Sequence, residues 1–177
     1  MRLCLSFLRA RKASAAIEFA FVAPIFFLFL MATIETGIIF LGGFVLQNAT
    51  NSAARQIRTG QVALGGVSQS QFRQMICDGT APLLDCDSNL QIDVETFASF
   101  ASANITNPVV NGKLNPALSN WQTGSVCSIV LVRAFYTYNV ATPLLTPFLV
   151  NINSTQHLLS AAVAFRTEPY STAVAGC

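Results

Sequence analysis

The chain has 177 residues, of which 53% are hydrophobic and only 10% charged, with a mean hydropathy of +0.53 and a net charge of +2. Average soluble domains carry about 25% charged residues, so this composition excludes a disordered, self-solvating chain and argues against an ordinary cytosolic enzyme. The charge is also split: Arg2, Arg9, Arg11 and Lys12 precede every acid, whereas from residue 14 onward six basic residues face eight acids, leaving no basic stripe for nucleic acid.

From Ile17 to Leu46, 22 of 30 residues are apolar, and seven of the 14 Phe lie between Phe19 and Phe44. A bilayer takes about 20 predominantly apolar helical residues, and thirty rise about 45 Å, enough to cross and emerge. The run is too long and too aromatic for the core helix of a soluble protein. It also exceeds the apolar region of a secretory signal, and no A-x-A site follows it. The basic cluster before it predicts a cytoplasmic N-terminus, with the larger C-terminal part outside the cytoplasm. Beyond the run, Leu46, Thr50, Ala53, Ala54 and Ile57 fall at helical spacing. They predict one helix over residues 14–58, leaving the lipid with a mildly apolar face.

Two acids flank the run. Glu18 is expected in the first helical turn, where the helix dipole favours negative charge. Glu35, about 25 Å further along, is expected to reach the outer headgroup layer. Acids at such positions are costly and point to function. Pro24 predicts a kink. Gly37, Gly42 and Gly43 predict weak points, or close approach of another helix.

The pattern Ala13-Ser14-Ala15-Ala16-Ile17-Glu18-Phe19, between a basic stretch and a long apolar run, resembles the processing site of type IV pilin-like proteins. The resemblance implies that a prepilin peptidase cuts between Ala13 and Ser14, with Ala13 where many family members have Gly, and that Glu18 is the family's acid. A closer resemblance is to the TadE-like pseudopilins, minor components of tight-adherence (Tad, or Flp) pili. It rests on Ala15 to Pro24, Glu35-Thr36-Gly37, Leu46 to Ala49 and Ala53 to Gln61. Gln71-Phe72, Ile76-Cys77, Cys86, Val132-Arg133 and Ala164 to Tyr170 add later landmarks. This resemblance implies a non-catalytic pilus subunit without cofactor. Its implied partners are the peptidase, other pilins and pseudopilins, the Tad assembly platform and inner-membrane lipid. Two opposite charges about 4 Å apart gain about 4 kcal/mol at an effective dielectric near 20. Glu18 could therefore compensate a new amine at Ser14, its own or a neighbour's, and set the register between subunits. The rival reading is an uncleaved, signal-anchored scaffold or binding protein of a secretion system.

Residues 1–13 thus form a basic leader, 14–58 the helix and 59–177 an extracytoplasmic domain. In that domain Ser68-Gln69-Ser70-Gln71 predicts a capping box and a short helix to about Ile76, burying Phe72, Met75 and Ile76. Leu90 to Phe97, Cys127 to Tyr138 and His157 to Phe165 read as strands. Ala98 to Gly124 reads as a long loop with one helical turn near 97–103, and Pro143 and Pro147 mark a connection. The fold class is α+β: a long N-terminal transmembrane helix, then a small domain with an antiparallel sheet.

Cys4 lies in the leader. Cys77, Cys86, Cys127 and Cys177 remain, an even number that implies disulfides outside the cytoplasm. Three connectivities are open. Cys77–Cys86 is the short-loop candidate, and Cys127–Cys177 would then tie down the C-terminus. No metal-ligand spacing occurs, and no nucleophile or nucleotide motif is present. His157, the sole His, has no neighbouring acid, and Asp78, Asp85 and Asp87 read as a solvated loop without the EF-hand pattern.

Overall fold

The computed structural model describes residues 11–170 except 87 and 104. One helix, α1 (Arg11–Arg58), runs for 48 residues, about 72 Å at 1.5 Å per residue. It is continuous through Pro24 and through Gly37, Gly42 and Gly43, so these residues do not interrupt it. Losing one backbone donor at Pro24 leaves the flanking turns intact.

The two halves of α1 have different surroundings. From residue 14 to Ile34 no side chain is buried, and large apolar residues such as Phe19, Phe21, Ile25, Phe29 and Ile34 point outward. Above that level a single face is buried: Glu35, Ile39, Gly42, Leu46, Ala49, Thr50, Ala53, Ala54 and Ile57. Steps of three and four residues keep a stripe on one helix face. Fully burying each large member is worth about 1.5–3 kcal/mol. The apolar face expected beyond Leu46 is therefore the helix's contribution to the core.

Two short helices follow, α2 (Gln61–Leu64) and α3 (Gln69–Thr80). The expected capping box is formed. Gln71 donates its amide N–H to Ser68 Oγ at 3.3 Å, and Gln71 Oε1 accepts the Ser68 N–H at 2.8 Å. Phe72, Ile76 and Cys77 on α3 are buried. Gly79 allows α3 to lie against α1, since a Cβ there would stand 2.9 Å from the Ala49 Cβ.

The strands β1 (Leu90–Phe97), β4 (Ile129–Asn139) and β5 (Gln156–Arg166) form an antiparallel sheet in the order β1-β4-β5. Val94 pairs with Val132, and Val132 with Val163. Central β4 is buried over its first eight residues because both faces are covered. Val130, Val132 and Ala134 join Leu46 and Phe72 in the main core. Phe135 on the other face packs with Leu118, Ile152 and Leu158.

The segment expected as a loop supplies that second cover. It holds a 3-10 turn at Phe100–Ser102 and a small hairpin, β2 (Val109–Val110) with β3 (Lys113–Leu114). The hairpin follows from Asn111-Gly112 at its tip, both with positive φ, 52° and 69°. Asn-Gly is the strongest two-residue hairpin signal, and it outweighs the Pro and Asn content that predicts a loop here. The second expected strand starts later than Cys127, which has φ 64° in the turn before Ile129.

The upper half of α1 and the sheet run alongside each other. Tyr138 meets Glu35 at the lower end, Gln47 reaches the Ala162 carbonyl midway, and Arg58 pairs with Glu168 at the top. Glu35 to Arg58 spans about 35 Å of helix, and eleven strand residues span about 36 Å.

Candidate functional site

The lower half of α1 carries the residues singled out for processing and assembly. The Ala13–Ser14 bond lies within the helix, and Ser14 is exposed. The Ser14 hydroxyl donates to Glu18 Oε1 at 3.1 Å, one turn away. Glu18 is exposed, and it does not occupy the first turn: the helix already extends to Arg11, and no acid lies in its first turn. The dipole argument for Glu18 therefore holds only for a chain shortened to Ser14. Pro24 and Gly37 are exposed, and a Cβ at Gly37 would meet nothing within 4 Å. Gly42 faces the domain instead, where a Cβ would lie 3.1 Å from Leu159 Cδ1. Close approach at Gly42 thus serves the chain's own sheet, while Gly37 and Gly43 are open to a neighbour.

Glu35 departs most from expectation. It is 4% exposed, and its carboxylate is held by the domain rather than by headgroups. Oε1 accepts the Ala141 N–H at 2.7 Å and the Tyr138 hydroxyl at 3.1 Å. Oε2 accepts the Thr142 hydroxyl at 2.6 Å and its N–H at 3.0 Å. A carboxylate is an acceptor only, with about four lone-pair sites, and all four are used. Burial and the Glu35 charge push the Tyr138 phenol above its ordinary range, keeping it protonated as a donor. These partners lie over 100 residues away, Tyr138 at the end of a predicted strand and Ala141 and Thr142 in the proline-marked connection after it. The same loop is tied back to the sheet, since a ring nitrogen of His157 bonds the Leu149 carbonyl.

A second polar cluster holds the cover of the sheet. Buried Arg133 donates to Asp93 Oδ2 at 2.6 and 3.0 Å and to Glu95 at 3.1 Å. Asp93 Oδ1 accepts the Asn120 N–H and side-chain amide at 3.0 and 2.9 Å. In the sequence Arg133 stands only as a family landmark, and Asp93 as the polar member of an alternating strand. Two acids two residues apart within a predicted strand, Asp93 and Glu95, with a single arginine in the next long strand, are the signal the sequence offers.

Cys77 and Cys86 form a disulfide. It joins the end of α3 to the segment before β1, as the short-loop pairing expected. Cys127 is also disulfide-bonded, and Cys177, its expected partner, lies outside the described residues.

Among the described residues α1 is the one helix long and apolar enough to cross a membrane, and its most apolar window has no burial within the structure. That fits a single-pass anchor. No curated protein and no solved structure matches the chain. The model of the family described as TadE-like protein matches residues 13–55. The match begins at the residue ahead of the expected cleavage point and ends beside the top of the buried stripe. The long helix of this chain is a TadE-like domain, consistent with a TadE-like protein of the Tad pilus system.

Proposed function

We propose that this protein is a minor pilin-like subunit for assembly of a Tad-type pilus, made as a membrane precursor and trimmed by a prepilin peptidase between Ala13 and Ser14. The observation that carries the reading is the division of one TadE-like helix into two environments. Its lower half presents a continuous apolar sheath with nothing against it, and its upper half is fused into a folded domain. A simple anchor needs only the first property. A subunit that leaves the bilayer to join a helical bundle needs both, because the sheath must exchange lipid for neighbouring helices while the domain stays intact.

In this reading the N-terminus is cytoplasmic and the domain faces the periplasm. The protein has no chemistry of its own and acts as substrate for the peptidase, then as partner to other pilins and to the assembly platform. The peptidase must unwind the helix around Ala13, since the bond lies within it. Once cut, Ser14 carries an amine one turn from Glu18, and the exposed Glu18 carboxylate can pair with that amine or a neighbour's.

N-terminal sequencing of the membrane-fraction protein tests the proposal. We expect a start at Ser14. Retention of the residues through Ala13 favours the uncleaved, signal-anchored scaffold. Glu18→Ala is expected to be cleaved but not incorporated into pili, and normal incorporation of that variant would sink the registry role.

A further inference from the structure

We propose that the base of the globular domain is itself a membrane-binding surface. In it the loop between β4 and β5 seats Leu144 and Phe148 in the lipid leaflet from which α1 emerges. This rests on the membrane-spanning reading of α1. It concerns lipid as the occupant of an apolar surface that the helix alone does not account for.

The depth follows from Glu35. Exposed large apolar side chains on α1 continue without a break in kind from Ile17 to Phe44, a rise of about 41 Å. That matches the whole thickness of a bilayer with its interfacial layers, about 40–45 Å. Glu35 lies about 13 Å below Phe44 along the axis. Whatever touches Glu35 is at that depth, and Tyr138, Ala141 and Thr142 touch it directly. The domain therefore does not begin where the greasy sheath ends. It overlaps the sheath, on the opposite face of the helix.

The chemistry of that overlap suits lipid. Leu144 is 71% exposed and Phe148 84%, the latter the highest exposure among the described large apolar residues. From Ala134 to Phe165 the chain contains no Asp, Glu, Lys or Arg. Phe148 joins Phe40, Phe44 and Leu158 around an open apolar groove of about 550 Å³ between α1 and the sheet. The helix sheath thus meets the domain base across a largely apolar groove, whose lining also holds Thr36, His157 and Ser160. Hydrocarbon at this level also explains why Glu35 is saturated with donors, because a bare carboxylate there would be expensive.

The test uses the full chain reconstituted in phosphatidylcholine vesicles, with Trp121→Phe as background and single tryptophans as depth reporters. Phe148→Trp changes an exposed ring for another, so folding is preserved. Phe27→Trp reports the helix, and Leu64→Trp, beyond the top of α1, reports the far end. Lipids brominated along the acyl chain should strip most of the emission from Phe148→Trp and Phe27→Trp and leave Leu64→Trp unchanged. Quenching of Phe27→Trp without Phe148→Trp overturns the proposal while leaving the spanning helix in place. In that case a blue-shifted but unquenched Phe148→Trp identifies a second copy as the cover. If neither reporter is quenched, the spanning reading fails and the proposal with it.

Discussion

Glu35 and Thr142 are 107 residues apart in the chain, yet the Thr142 hydroxyl lies 2.6 Å from Glu35 Oε2 and its N–H 3.0 Å from the same oxygen. This latch fixes the domain to α1 at its lower end. It also joins the helix to the loop that carries Phe148.

Glu35→Ala takes the acceptor from two backbone donors, Ala141 and Thr142, at a part-buried place. Each such loss costs about 1–3 kcal/mol. We expect at least about 2 kcal/mol of destabilisation, read as a lower unfolding midpoint in detergent. Faster amide exchange at 141 and 142 should accompany it. Glu35→Gln keeps one good acceptor but turns an NH2 toward donors, so it should fall between wild type and Glu35→Ala.

The glycines of α1 should separate by position. Gly42→Leu pushes into Leu159 and Leu84, which stand 3.1 and 3.3 Å from where its Cβ would lie. Overpacking of this kind costs about 1–3 kcal/mol. Gly37→Ala meets open space and should stabilise the isolated subunit by up to about 1 kcal/mol through helix propensity. Thermal unfolding of the two variants in one detergent gives opposite signs if α1 packs as described.

The Asp93–Arg133 pair predicts strong non-additivity. Removing one partner of a buried pair leaves an uncompensated charge and costs about 3–5 kcal/mol. Glu95 stays 3.1 Å from Arg133, so Asp93→Ala should reach the lower end of that range in denaturant titration. It should also release the 105–124 cover, because Asn120 loses both of its bonds to Asp93. Replacing Asp93 and Arg133 together with apolar residues should cost less than either single change.

Alkaline pH should loosen the sheet before it affects the helix. Burial raises the Tyr136 phenol above its ordinary value of 10.0, and burial with the Glu35 charge raises Tyr138. A group whose folded pKa is raised contributes stability that is complete below its unfolded pKa and fades as pH climbs through the folded one. Stability should therefore hold up to about pH 10 and decline above it. Tyrosinate absorbance should lag that of free tyrosine, and Tyr138→Phe should remove part of the lag.

Local patterns made much of this protein legible from its residues alone. The apolar run, the capping box at Ser68 and Gln71, the three long strands and the Cys77–Cys86 pairing each depend on neighbours within a few residues or on a simple period. Such signals survive without knowledge of the fold. The Asn111-Gly112 hairpin is equally local, although the prolines around it read as a loop. Other features depend on which distant segments meet. Glu35 reads as a headgroup-level acid until β4 delivers Tyr138, Ala141 and Thr142 to it. Gly42 reads as a site for another helix until the chain's own Leu159 fills the space. Arg133 becomes a buried ion only once Asp93 lies across from it in register. The physical reason is that burial of a charge, or close approach at a glycine, is a property of two surfaces. One stretch of sequence specifies only the first.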